Sequence, residues 1–195
     1  MHIVLRVVPE VGNLRRRCAY RAVREATFTT ARRENFRIVH ISIQHNHIHL
    51  IVEADNKAAL SSGMQGFLIS AAKHLNAAIR EGREGPRRRG SVFKDRYYAV
   101  PITSPRQARH VISYVLGNWR KHAHDRDEST RHWEVDWYSS APVFPDWQEY
   151  GDQPFLMPSL PNYDPPLVYR PRTWILREGW KKSGPISSHA VPSAS

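Results

Sequence analysis

Cysteine is nearly absent from this chain, with Cys18 the single example in 195 residues. That excludes an internal disulfide and any cysteine-rich zinc module, and it suits a reducing compartment. No apolar run approaches the roughly 18 residues of a membrane span. Residues 1–7 are too short, and too soon interrupted by Arg6, to read as a secretory leader. The expectation is therefore a cytoplasmic protein with no membrane partner. Acidic residues are also scarce, 18 Asp+Glu against 29 Lys+Arg, for a formal charge of +11. No internal repeat is present.

The basic excess is uneven. Residues 1–124 hold 22 Lys+Arg and 8 Asp+Glu, a balance of +14, whereas residues 125–195 hold 7 and 10, a balance of −3. Clusters at Arg15-Arg16-Arg17, Arg32-Arg33 and Arg87-Arg88-Arg89 carry the electrostatic footprint of a polyanion binder, because each neutralised phosphate releases condensed counterions. The plainer alternative is a merely soluble basic protein. Ten of 14 prolines lie between Pro142 and Pro192, and all six tryptophans lie at or after Trp119. The chain thus divides into a domain at 1–124, a Pro/Trp-rich extension at 125–183 packed on it, and a disordered tail at 184–195. The tryptophans of the extension are expected to cover the sheet edge and favour a monomer, with a homodimer as the alternative.

Within the basic domain, residues 3–7 form a β-branched run, and Asn13 is a candidate cap for a helix from Leu14 to about Arg33. Leu14, Cys18, Ala22 and Ala26 would line its inner face. Residues 36–43 and 47–53 read as a hairpin about Gln44-His45-Asn46. Asp55 or Asn56 can cap a second helix with an apolar stripe of Leu60, Met64, Phe67, Leu68, Ala71, Leu75, Ala78 and Ile79, ending at Gly82. Residues 91–100 make a fourth strand. Ser104, Pro105 and Gln107 open a third helix as N-cap, N1 proline and capping-box residue, with Ala108, Val111, Ile112, Val115 and Trp119 buried. The order β-α-β-β-α-β-α predicts an α+β fold, a ferredoxin-like or RRM-like antiparallel sheet with helices over one face.

In His47-Ile48-His49-Leu50-Ile51-Val52-Glu53, the strand period of two puts His47 and His49 on one face and Ile48, Leu50 and Val52 on the other. Two converging imidazoles can hold a divalent metal and leave positions open for substrate oxygens. Surface or hydrogen-bonded histidines are the alternative, as His40 and His45 are read. On the third helix Tyr114 and Asn118, four apart, share a face. A phenol there could be a nucleophile and the amide a third ligand or phosphate orienter; a core aromatic and a solvent-facing amide are the plainer pair. Arg15, Arg16, Arg17, Arg87, Arg88, Arg89, Lys94, Arg96, Arg120 and Lys121 are the candidate phosphate contacts, with His122 beside the last two. Tyr97 and Tyr98 rank below Tyr114 as nucleophiles and suit packing or base stacking.

Asn46-His47-Ile48-His49-Leu50-Ile51-Val52 resembles the His-hydrophobe-His signature of the HUH endonuclease superfamily. The likeness is to the IS200-like single-tyrosine transposases and their REP-associated relatives. It continues through Gly90-Ser91-Val92-Phe93-Lys94-Asp95-Arg96-Tyr97-Tyr98 and through Tyr114-Val115-Leu116-Gly117-Asn118, covering roughly residues 2–123. The resemblance implies an RRM-like sheet, Mg²⁺ or Mn²⁺ held by His47 and His49 with Asn118 as third ligand, and cleavage of single-stranded or hairpin DNA. Tyr114 would become a transient 5′-phosphotyrosine, conserving the bond energy for strand transfer without a nucleotide cofactor. Trp119 follows Asn118 where many REP-associated members have proline. The competing reading is a non-catalytic single-stranded nucleic-acid-binding module that uses an RRM-like sheet.

Overall fold

Alternating β-branched residues build the sheet, and the computed structural model describes it within residues 1–31, 33–79, 88–151 and 163–192. The elements that place the site are β1 (His2–Arg6), α1 (Arg17–Phe28), β2 (Phe36–Ile43), β3 (His47–Ala54), α2 (Lys57–Ala78), β4 (Tyr98–Val100) and α3 (Pro105–Lys121). The strands form one antiparallel sheet in the order β2-β3-β1-β4. The α+β antiparallel-sheet class expected from the sequence is the one observed.

The predicted placement of the helices needs correcting. Ile3, Leu5, Ile48, Leu50 and Val52 face α1 and α2, in a core with Leu14, Ala22, Ala26, Met64, Phe67, Ala71 and Leu75. The other face packs α3, whose Ala108, Val111, Ile112 and Val115 meet Val39 and Ile51. The uninterrupted run Leu50-Ile51-Val52 is the physical reason, since a strand apolar on successive residues is covered on both faces. A bulge between Ile38 and His40 also sends Val39 to the α3 side while Ile38 and Ile41 stay on the other.

Several predicted boundaries shift. Asn13 does not cap α1: its Oδ1 accepts from Arg15 N at 2.8 Å, closing a local turn, and the helix runs only from Arg17 to Phe28. Asn56 caps α2, accepting from Ala59 N at 2.9 Å. The expected end at Gly82, together with Arg32 and Arg87, falls outside the described residues. Gly63 lets α2 sit on Phe36, where a Cβ would lie 2.2 Å from the ring. The fourth strand shrinks to three residues, although a bridge from Val7 to Phe93 and a bond from Lys94 N to Arg6 O keep its approach against β1. Ser104 Oγ accepts from Gln107 N at 3.2 Å, as an N-cap should. The Gln107 side chain reaches Thr103 N and Pro101 O instead of closing a capping box.

The extension grips the sheet by backbone. Ile43 N donates to Tyr138 O, Ser140 N to Ile41 O and Tyr169 N to Ile38 O, so the free side of β2 is paired. Trp147 and Trp180, expected over the sheet edge, instead join Phe144, Leu176 and Ile186 against α3. Residues 184–192, in the tail expected to be disordered, instead pack on the domain. Ile186 is fully buried and bridged to Trp147, and Arg109 donates to Gly184 O and Pro185 O. Among the described residues, no helix is long and apolar enough to cross a membrane.

Candidate active site

The strand period brings the two histidines together on the face covered by α3. The rings of His47 and His49 lie edge to face, 4.8 Å apart, and the Tyr114 ring stands edge-on to His49 at 5.3 Å. Lys121 Nζ lies 4.8 Å over the phenol ring. Asn118, one turn beyond Tyr114, is wholly buried, and among the described residues neither its Oδ1 nor its Nδ2 has a hydrogen-bond partner. His49 Nε2 is buried and unpartnered in the same way. Orphaned polar atoms of this kind cost about 1–3 kcal/mol each unless a ligand or an ordered water satisfies them.

Hydrogen bonds set the tautomers. Asn46 Oδ1 can only accept, so His47 Nδ1 carries the proton in the 2.8 Å bond between them and Nε2 keeps its lone pair. His49 Nδ1 lies 3.1 Å from His2 Nε2, and a proton placed there leaves the buried Nε2 of His49 as a donor atom for a metal. His2 stacks on His49 at 5.3 Å and stands edge-on to Tyr114 at 6.1 Å. Sequence reasoning missed His2. Its signal was present in the alternation of β1, but it needed the β1·β3 pairing in which Val4 faces His49. His122 lies 5.4 Å from His47, and His124 lies 6.0 Å from His122, so the cluster extends past the end of α3. Gln44 Oε1 is a further buried acceptor without a partner among the described residues. Among the described residues, no three His, Cys, Asp or Glu side chains could together hold a metal. A metal held here by two histidines would take its other ligands from other oxygen groups.

Burial, foremost, holds these imidazoles neutral. His2 and His47 are lowered to about 4, and His49, with the charges of His47, His2, His122 and Lys121 also opposing it, to about 2. His40, on the same sheet, is lowered to about 4 by burial alone; it sits 3.3 Å from Ser140 Oγ and is structural. The unfolded chain takes up protons below pH 6.5, the ordinary histidine value, which the folded chain refuses until about pH 4. Stability is therefore full above pH 6.5 and is lost as the pH falls toward 4. Thermal melts should show Tm dropping steadily between about pH 6.5 and about pH 4.5; a flat profile would mean that the histidines are not held neutral.

The expected phosphate contacts divide. Arg16, Arg17, Arg89, Lys94 and Arg96 are exposed. Lys121 belongs to the Tyr114 side of the site. Arg88 is tied down, donating to Asn76 Oδ1 and Ser91 O. Arg15 and Arg120 are corrections, because both serve the fold. Arg15 forms a two-pronged ion pair with buried Asp136 at 2.9 Å. Arg120 donates to Ser188 O, Glu134 O and Asp125. Tyr97 packs on the first core, whereas Tyr98 is exposed on the edge strand β4.

The family model for IS200-like transposases matches residues 1–118, which takes in all four strands and α3 as far as Asn118. No curated protein matches the chain.

Proposed function

The chain belongs to the IS200-like transposase family, and from that premise we propose that it is a metal-dependent endonuclease and strand transferase acting on single-stranded or hairpin DNA through a phosphotyrosine at Tyr114. DNA is the partner that the family implies; the nature of the strand and the chemistry are our reading. The observation that carries it is the Tyr114 ring set against His49, with the lone pairs of His47 and His49 and the unpartnered amide of Asn118 on the same side of the sheet.

In this reading His47, His49 and Asn118 hold Mg²⁺ or Mn²⁺, the histidines already neutral as ligation requires. A bound divalent cation supplies charge neutralisation and polarisation of the scissile phosphate. The Tyr114 oxygen attacks phosphorus, forming a P–O bond to the phenol as the bond to the 3′-oxygen breaks. The phenol loses a proton and the departing 3′-hydroxyl gains one. Lys121, above the ring, offers positive charge to the phosphate oxygens, and His2 steadies the orientation of both His49 and Tyr114. Attack of a 3′-hydroxyl on the phosphotyrosine reverses the step and joins strands.

The test is to incubate the protein with labelled single-stranded hairpin oligonucleotides from its own genomic flanks, with Mn²⁺ or with EDTA, and to map any denaturation-resistant adduct by mass spectrometry. An adduct on Tyr114 that requires metal is the expected result. Salt-sensitive binding with no adduct at any target would replace this reading with that of a binding module.

A further inference from the structure

Away from the histidines, a cavity of about 310 Å³ opens between α1 and the extension, lined by Arg17, Arg21, Trp133, Trp137, Tyr138 and Tyr163 among others. Its size is at the lower end of ligand sites, room for one ring system rather than a stack of them. One wall is basic: Arg17, Arg21 and Arg24 recur at helical spacing along α1. Arg24 donates to Pro165 O and Glu25, and Arg21 is exposed along the same wall. The other wall is aromatic. Trp133 and Tyr138 are both half-buried, with ring centres 5.9 Å apart and planes inclined by 39°.

One arginine touches the cavity's aromatic wall and acts on the histidine cluster. Arg15 lies 4.5 Å over the Tyr138 ring, and its charge also acts on His122 and His124, the two histidines that lead to His47. Trp133, Trp137, Tyr138 and Tyr163 all lie beyond residue 118, where the family match ends, so the aromatic wall belongs to this chain's extension. Aromatic faces beside a row of arginines suit a base with its phosphate: the ring stacks and the backbone charge is neutralised.

We infer that this cavity is a pocket for a single unpaired nucleotide of the DNA, with its base against Trp133 and Tyr138 and its phosphate along Arg17 and Arg21. The identity of the ligand rests on the transposase reading. None of these four residues belongs to the proposed catalytic set.

Affinity for a random-sequence single strand of about 20 nucleotides, measured in EDTA by fluorescence anisotropy, tests the pocket. Trp133→Leu should weaken binding about tenfold or more, Trp133→Phe should restore most of the loss, and Arg21→Glu should also flatten the salt dependence. The wild type should bind an abasic strand of the same length about tenfold more weakly, and Trp133→Leu should erase that preference. A folded Trp133→Leu protein with wild-type affinity overturns the pocket. Equal affinity of the wild type for base-bearing and abasic strands overturns it too, even if the leucine variant fails to fold. The adduct assay keeps the two readings apart. A metal-dependent adduct at Tyr114 with no effect at Trp133 removes only the pocket, whereas Trp133-dependent binding with no adduct removes only the enzyme.

Discussion

Tyr114→Phe is expected to abolish the covalent adduct and to reduce strand cleavage by about a thousandfold or more, while affinity for the same DNA stays within about threefold. The change removes one oxygen from a ring whose edge contacts with His49 and His2 persist, so the site's packing survives. Only the atom that would bond to phosphorus is lost. Lys121 remains over the ring face, and the phosphate contacts remain on other elements. His47→Ala provides the companion result: cleavage should fall to the level seen with EDTA, and calorimetric titration with Mn²⁺ should show weakened metal binding. Undiminished cleavage by Tyr114→Phe would move the nucleophile elsewhere, and Tyr98, exposed on β4, would be the next residue to replace.

The second large effect concerns stability. Asp136 is fully buried, and its carboxylate takes two bonds from Arg15 and one from Tyr138 N. Asp136→Ala leaves the Arg15 guanidinium in a nearly closed site with, among the described residues, Ile43 O and the Tyr138 ring as its remaining partners. The expected cost is about 3–5 kcal/mol, or roughly 10 °C in Tm for a chain of this size. The double change Arg15→Met with Asp136→Leu should recover most of the loss, because apolar residues of similar volume replace a buried ion pair with little penalty. Differential scanning calorimetry of the wild type and the two variants decides the matter. A loss below about 1 kcal/mol for Asp136→Ala would mean that the pair is solvated.

Much of the site could be read from local periodicity. The two-residue repeat of 47–53 set His47 and His49 side by side, and the four-residue step of the third helix set Asn118 one turn from Tyr114. Both placements need only the geometry of one element, and both hold. The caps Asn56 and Ser104 were legible for the same reason: a short polar side chain before an apolar stripe satisfies amides a few residues away. The basic clusters were harder to read. Charge excess indicates a polyanion partner but not which arginines face it, and Arg15 and Arg120, indistinguishable from their neighbours in sequence, turn inward to hold the extension.

The sequence by itself determined the α+β class, the β2–β3 hairpin, the pairing of the two histidines and the shared face of Tyr114 and Asn118, because each follows from hydrogen-bonding periods within one or two adjacent segments. Tertiary structure alone decided that α3 lies across the sheet from α1 and α2, which brings Tyr114 to His49. It alone brought His2 against His49 and packed Ile186 of the tail on the domain. Those outcomes depend on which apolar faces bury one another across long separations, and burial free energy acts on the area two surfaces hide together and carries no record of sequence distance.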